Sequence, residues 1–293
     1  MIPRTTLLAL VTPLLAAGVG CSDDTTGPAD PPAAAVRVAA PDTGAYFGLF
    51  SIADAPDGIA ELTAKSGGVP PPLVFTFHDW NRAGITAPEP VLQTFADPLE
   101  GEHVQTTPLE LARQLADQGS VLAMAWVAVD YLSEHPDYWT DGATHPITYG
   151  DILSGVYDEH LRTCARQIRD LGVPVMLSPF GEFNSVGFVS FGPQANQWVV
   201  DAAEQDPTGQ YGDPAVPDGP ERVRDVFRHV VDRFREEGAD NVTWFFYSHS
   251  AYLNPDDLAP WELAVQDLLA LEHYWPGEAY VDWVGGSAYL SAT

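Results

Sequence analysis

"PVMLSPFGEFNS", Pro174 to Ser185, is an apolar run that ends in Gly-Glu-Phe-Asn. Three apolar residues and a serine after a proline read as a short buried strand. The polar residues that follow read as a loop in which Glu182 stands directly beyond the strand. Upstream lies "ITYGDILSGVYDEHLRTCARQIRDLG", Ile147 to Gly172. Its period predicts one long helix with Ile152, Val156, Leu161, Ala165 and Ile168 on one face, stopped by Gly172. Downstream, "PERVRDVFRHVVDRFREEG" repeats the logic, with a stripe of Val223, Val226, Phe227, Val230 and Phe234 closed by Gly238. A strand, "NVTWFFYSH", follows it.

The alternation extends in both directions. "AYFGLFS", "LVFTFHDW" and "VLAMAWVAV" read as the first three strands, and "YVDWVGGSAY" as the sixth. Between them come "GIAELTAK", closed by Gly67 and Gly68, and "TPLELARQLADQG". In the latter, Thr107 caps, Pro108 fits the first helical position and Glu110 completes a capping box. "PWELAVQDLLALEHYW" supplies a fifth helix. Strands alternating with helices imply parallel pairing through crossovers. Apolar strands followed by polar and aromatic loops fit a (β/α)8 TIM-barrel type, with about six β/α units in this chain, whose chemistry sits at the C-terminal ends of the strands. An open doubly wound sheet is the rival, but no Gly-x-Gly-x-x-Gly or phosphate loop supports it. On this reading Glu182 occupies a catalytic position, though a solvated loop glutamate has the same local sequence.

The N-terminus differs from the rest. Arg4, the apolar "LLALVTPLLAAGVG" and small residues before Cys21 read as a lipoprotein signal peptide over residues 1–20, with lipid on Cys21. An ordinary signal peptide cut nearby is the alternative. Residues 21–42 are rich in Pro, Ala and Asp and read as a disordered tether. The barrel domain is placed at residues 43–293, and "VRVAA", Val36 to Ala40, is left out of it. The expected location is the cell envelope, through the N-terminal lipid alone. Cys164 is the only other cysteine. It falls in a helical pattern and reads as a buried apolar residue.

The formal net charge is -28 and Lys65 is the only lysine. Such a chain repels phosphate, which argues against a nucleic-acid partner. The 8 histidines are scattered, with no His-x-x-x-His pair and no Cys cluster. His78, Asp79 and His249 are the one grouping that a barrel mouth could bring together for a metal. No metal or cofactor is expected. No Gly-x-Ser-x-Gly elbow starts a serine triad.

Three stretches in order resemble glycoside hydrolase family 26, whose best-known members are β-mannanases. They are "ILSGVYDEHLRTCARQIRDLGVPVMLSPFGEFN", "VFRHVVDRFREEGADNVTWFF" and "YWPGEAYVDWVGGSAY". The resemblance implies that Glu182 is the general acid/base and that Asn184 matches the asparagine two residues beyond it. It implies that Tyr289 is the strand-six tyrosine and that Trp80 matches an aromatic of the sugar groove. Ser178 stands where the family usually has Arg, and Gly181 where it has His, so carboxylate tuning and subsite contacts are expected to differ. The family's nucleophile is a glutamate ending strand seven. The sequence stops after the sixth strand, so the record is expected to be incomplete and the chain as written inactive on mannan.

Sugar binding calls for aromatic faces and polar partners for hydroxyls. Trp80, Trp126, Trp198, Trp244 and Tyr289 are the aromatic candidates, with Asp79 and His249 beside them. Trp244 reads equally well as a core aromatic. Two functions follow. One is a retaining glycosidase acting on mannan or another β-linked polysaccharide or oligosaccharide, as a monomer. The other is a non-catalytic surface glycan-binding lipoprotein on the same scaffold.

Overall fold

The computed structural model describes residues 37–39, 46, 48–50, 55–80, 91–99, 106–128, 147, 149–181, 183, 218–249 and 271–287. The elements run β1 (Gly48–Phe50), α1 (Ala55–Lys65), β2 (Leu73–Asp79), α2 (Pro108–Asp117) and β3 (Val121–Val127). They continue with α3 (Tyr149–Leu153), α4 (Asp158–Leu171), β4 (Val175–Ser178) and α5 (Asp218–Glu236). The last are β5 (Val242–His249), α6 (Leu271–Tyr274) and β6 (Trp283–Ser287).

All six strands form one sheet in the order β1-β2-β3-β4-β5-β6, and every neighbouring pair is parallel. The order never reverses, so each crossover steps in the same direction. A doubly wound sheet would show a switch point, with helices on both faces.

The two faces differ accordingly. Val74, Leu122, Met124, Trp126, Val175, Leu177, Val242, Trp244 and Phe246 pack with residues of α2, α4 and α5, such as Leu111, Leu115, Leu161, Ile168, Val226 and Val230. The opposite face carries Phe75, Phe77, Ala123, Ala125, Val127, Met176, Phe245 and Tyr247, in clusters that contain no helical residue. That inner face is concave. β2 and β5 are three strands apart, about 14 Å in a flat sheet. Yet the Phe75 ring of β2 lies 5.3 Å from Tyr247 and 6.1 Å from Phe245 of β5. Alanines at 123 and 125 on β3 leave room for these rings to meet. A parallel sheet wound in order, helices outside and strands curled inward, is a partial (β/α)8 barrel.

Local sequence explains most element ends. Thr107 Oγ1 accepts from the Glu110 N–H at 3.1 Å, and Glu110 Oε2 accepts from the Thr107 N–H at 3.0 Å. This reciprocal cap stabilises α2 by about 1 kcal/mol. Gly119, Gly172 and Gly238 adopt φ of 80°, 74° and 74° where helices end, a conformation that glycine takes without a Cβ clash.

The helix expected over Ile147–Gly172 is instead two, with a turn at residues 154–157. Gly155 has φ 86°, which no helical residue can adopt, and the turn resets the helical phase. Val156 therefore points outward, 65% exposed, while Ile152, Leu161, Ala165 and Ile168 are buried as the stripe required. Asp158, in the first turn of α4, then fastens this corner to α5. It accepts from His229 Nε2 at 2.6 Å and from Arg233 at 3.2 Å. Asn241 Nδ2 donates to the Ile168 and Val173 carbonyls, both at 2.8 Å, and ties the end of α4 to the start of β5.

Arg37–Ala39, expected in a tether, already contact β5 and β6: the Val38 N–H donates to Thr243 Oγ1 at 2.7 Å. Short apolar segments in polar surroundings carry little periodic signal, so sequence reading passes over them. The expected fifth helix is described only over Leu271–Tyr274.

Candidate functional site

The C-terminal ends of the strands define one pole of the curled sheet. β2 ends at Asp79, β3 at Val127, β4 at Ser178, β5 at His249 and β6 at Ser287. Asp79 shares the parity of Phe75 and Phe77, so it belongs to the inner face, where it is buried. His249 pairs in register with Ser287; its side chain is outside the described residues. Below them the inner face is floored by aromatics. Phe77 and Tyr247 meet at 6.5 Å and Tyr247 is half-buried.

The segment after β4 is anchored at several points. The fully buried Ser178 donates its hydroxyl to the Phe180 carbonyl at 2.7 Å. Phe180 packs 6.4 Å from Phe227 of α5. Phe183 packs 4.5 Å from Phe246 and 5.0 Å from Tyr274. Both phenylalanines are buried. Sequence reading singled out Glu182 and passed over these flanking anchors; the signal was the pair of phenylalanines around Gly181-Glu182. Glu182, Asn184, Trp198, Tyr289 and Cys21 lie outside the described residues.

Three tryptophans expected to touch sugar belong to the core. Trp80, Trp126 and Trp244 are 0%, 0% and 1% exposed. Trp80 and Trp126 pack 4.6 Å apart, with Phe95 and Phe234 against Trp126. Trp244 lies against Phe227 and Phe234 of α5. They sit between sheet and helices, where no ring face is left for a ligand. Parity is the physical reason: Trp80 follows Asp79 and so points to the opposite face.

Parity also separates His78 from Asp79. His78 is buried toward the helices, with Nε2 3.1 Å from the Thr94 carbonyl. Its ring therefore donates Nε2–H in the neutral form. Burial pushes the His78 pKa down to about 4. Burial, with a smaller contribution from His78, does the same to His160, also to about 4. Cys164, 3.9 Å from His160, is fully buried and its thiol is pushed up by burial. Among the described residues, no three His, Cys, Asp or Glu side chains gather as a metal site. Among them also, no helix is long and apolar enough to cross a membrane.

No family model matches the sequence, and no curated protein matches it. Solved structures do. Bacillus subtilis mannanase BCman aligns at 15% identity and TM-score 0.46, covering 83% of this chain and 61% of that one. The family 26 domain of an endo-β-mannanase/endo-β-glucanase from Prevotella bryantii aligns at 17% identity and TM-score 0.45, covering 82% and 66%. A Podospora anserina β-(1,4)-mannanase aligns at 16% identity and TM-score 0.46, covering 83% and 44%. The chain thus spans 61% of the length of the Bacillus enzyme.

Proposed function

We propose that this chain is the scaffold of a retaining glycoside hydrolase for β-linked polysaccharide, resembling endo-β-1,4-mannanase, with Glu182 as general acid/base. The observation that carries the reading is the winding of the sheet. A sequential, inward-curled parallel sheet gathers its strand ends at one pole, and Glu182 comes four residues after the end of β4 in the sequence. Gly181 and Phe183, its neighbours in the sequence, are both buried.

In a retaining mechanism two carboxylates stand about 5–5.5 Å apart. Glu182 would protonate the departing glycosidic oxygen while the second carboxylate attacks the anomeric carbon. It would then take a proton from the water that releases the glycosyl intermediate. In the family that the sequence resembles, the second carboxylate comes from strand seven. The test is reducing-sugar release from mannan by a form of the protein that carries both carboxylates. Glu182→Gln is expected to lower it by about 100- to 10,000-fold. Equal rates in both proteins would remove Glu182 from the mechanism.

One observation favours a second reading, a surface glycan-binding protein. Among the described residues, none of the six strands ends in a glutamate. Mannohexaose bound by the protein without release of reducing ends would select that reading. Neither binding nor release would sink both.

The reading also places the protein on the cell envelope, through lipid on Cys21. Mass analysis of the N-terminal peptide checks this: a diacylglyceryl addition at Cys21 is expected, and an unmodified or absent Cys21 overturns it.

A further inference from the structure

The pole opposite the candidate site is where the strands begin, and there the short segment Arg37–Ala39 lies across the sheet. Both backbone polar groups of Val38 are taken by inner-face side chains. Its N–H donates to Thr243 Oγ1 at 2.7 Å, and its carbonyl accepts from Trp283 Nε1 at 3.1 Å. Arg37 donates to the Asp240 carbonyl at 3.3 Å and pairs with Asp282 at 3.2 Å. The Ala39 carbonyl accepts from the Tyr46 hydroxyl at 3.1 Å, and the Tyr46 ring stacks on Trp283 at 6.0 Å.

The Val38 side chain completes the arrangement. It packs into the inner-face cluster of Ala123, Met176 and Phe245, beside Leu73, Val121 and Trp283. These residues come from β2, β3, β4, β5 and β6. A single β-branched residue from outside the sheet thus sits among residues of five strands. Its neighbours are apolar, and water in its place would wet them.

We propose that Arg37–Ala39 is a plug that closes the N-terminal mouth of the curled sheet. Val38 is the stopper, and the Thr243, Trp283 and Asp282 contacts are the latch. Ligands then reach the inner face from the C-terminal pole. This goes beyond the proposed function and does not depend on which sugar is bound.

The full chain carrying Val38→Asp is expected to melt about 5–10 °C lower. It should bind an apolar-surface dye such as anilinonaphthalene sulfonate about threefold more strongly while keeping its far-UV circular dichroism. The Trp283 indole N–H should exchange with solvent faster. Unchanged dye binding and unchanged indole exchange would overturn the plug. Should Val38→Asp not fold, Val38→Ala keeps the backbone bonds and empties only the stopper. Raised dye binding is expected there, and dye binding equal to the unmodified protein again overturns the proposal. Mannohexaose binding, measured in parallel, reports on the proposed function alone.

Discussion

Acidification from pH 7 to pH 4 is expected to remove about 3–6 kcal/mol of folding stability through the buried His78 and the half-buried His160. His78 and His160 are neutral in the fold because each sits in an apolar layer, and burial holds both pKa values down to about 4 from 6.5. Asp97 opposes the shift at both sites and does not overcome it. The unfolded chain therefore takes up protons first as pH falls. Stability is full above pH 6.5, drains between 6.5 and about 4, and loses nothing further from these groups below that. The range arises because His160 is lowered in part by His78, so the two sites are not independent. Urea midpoints measured from pH 7 to pH 4 check this. His160→Gln should flatten the slope by roughly half. A midpoint that stays level down to pH 4.5 would show that the imidazoles are not buried neutral.

Trp126→Ala is expected to cost about 3–5 kcal/mol and to lower the melting temperature by roughly 10 °C or more. The indole is fully buried and touches Trp80, Phe95, His160 and Phe234. Its removal leaves a cavity bounded by Trp80 just after β2, by Phe95 and by rings on α4 and α5, which cannot all collapse at once. Chemical denaturation with the slope held constant checks the figure. A loss below about 1 kcal/mol would mean that Trp126 is not a core residue, and would reopen its assignment to a sugar groove.

Much of the fold was legible because its causes are local. The capping box at Thr107-Pro108-Glu110, the stop at Gly172 and the stripe on α5 each depend on residues within a few positions of one another. Gly155 was equally visible, but the apolar stripe across it outweighed one glycine, and only its φ of 86° shows the turn. For the tryptophans, the residue type suggested sugar, whereas period-two parity placed Trp80 opposite Asp79. Parity was the better guide, since alternation along a strand holds wherever the strand lies. The anchors Phe180 and Phe183 were readable as residues and not as roles, because their partners Phe227, Phe246 and Tyr274 are distant in the chain.

By itself, the sequence determined the order of strands and helices, their parallel sense and where most of them stop. These follow from short-range hydrogen bonding and from the spacing of apolar residues. Only the tertiary structure decided that the sheet curls until β2 and β5 rings touch, which face meets the helices, and that Val38 fills the opening at the strands' starts. Those outcomes depend on contacts between residues dozens to hundreds of positions apart, which no local pattern encodes.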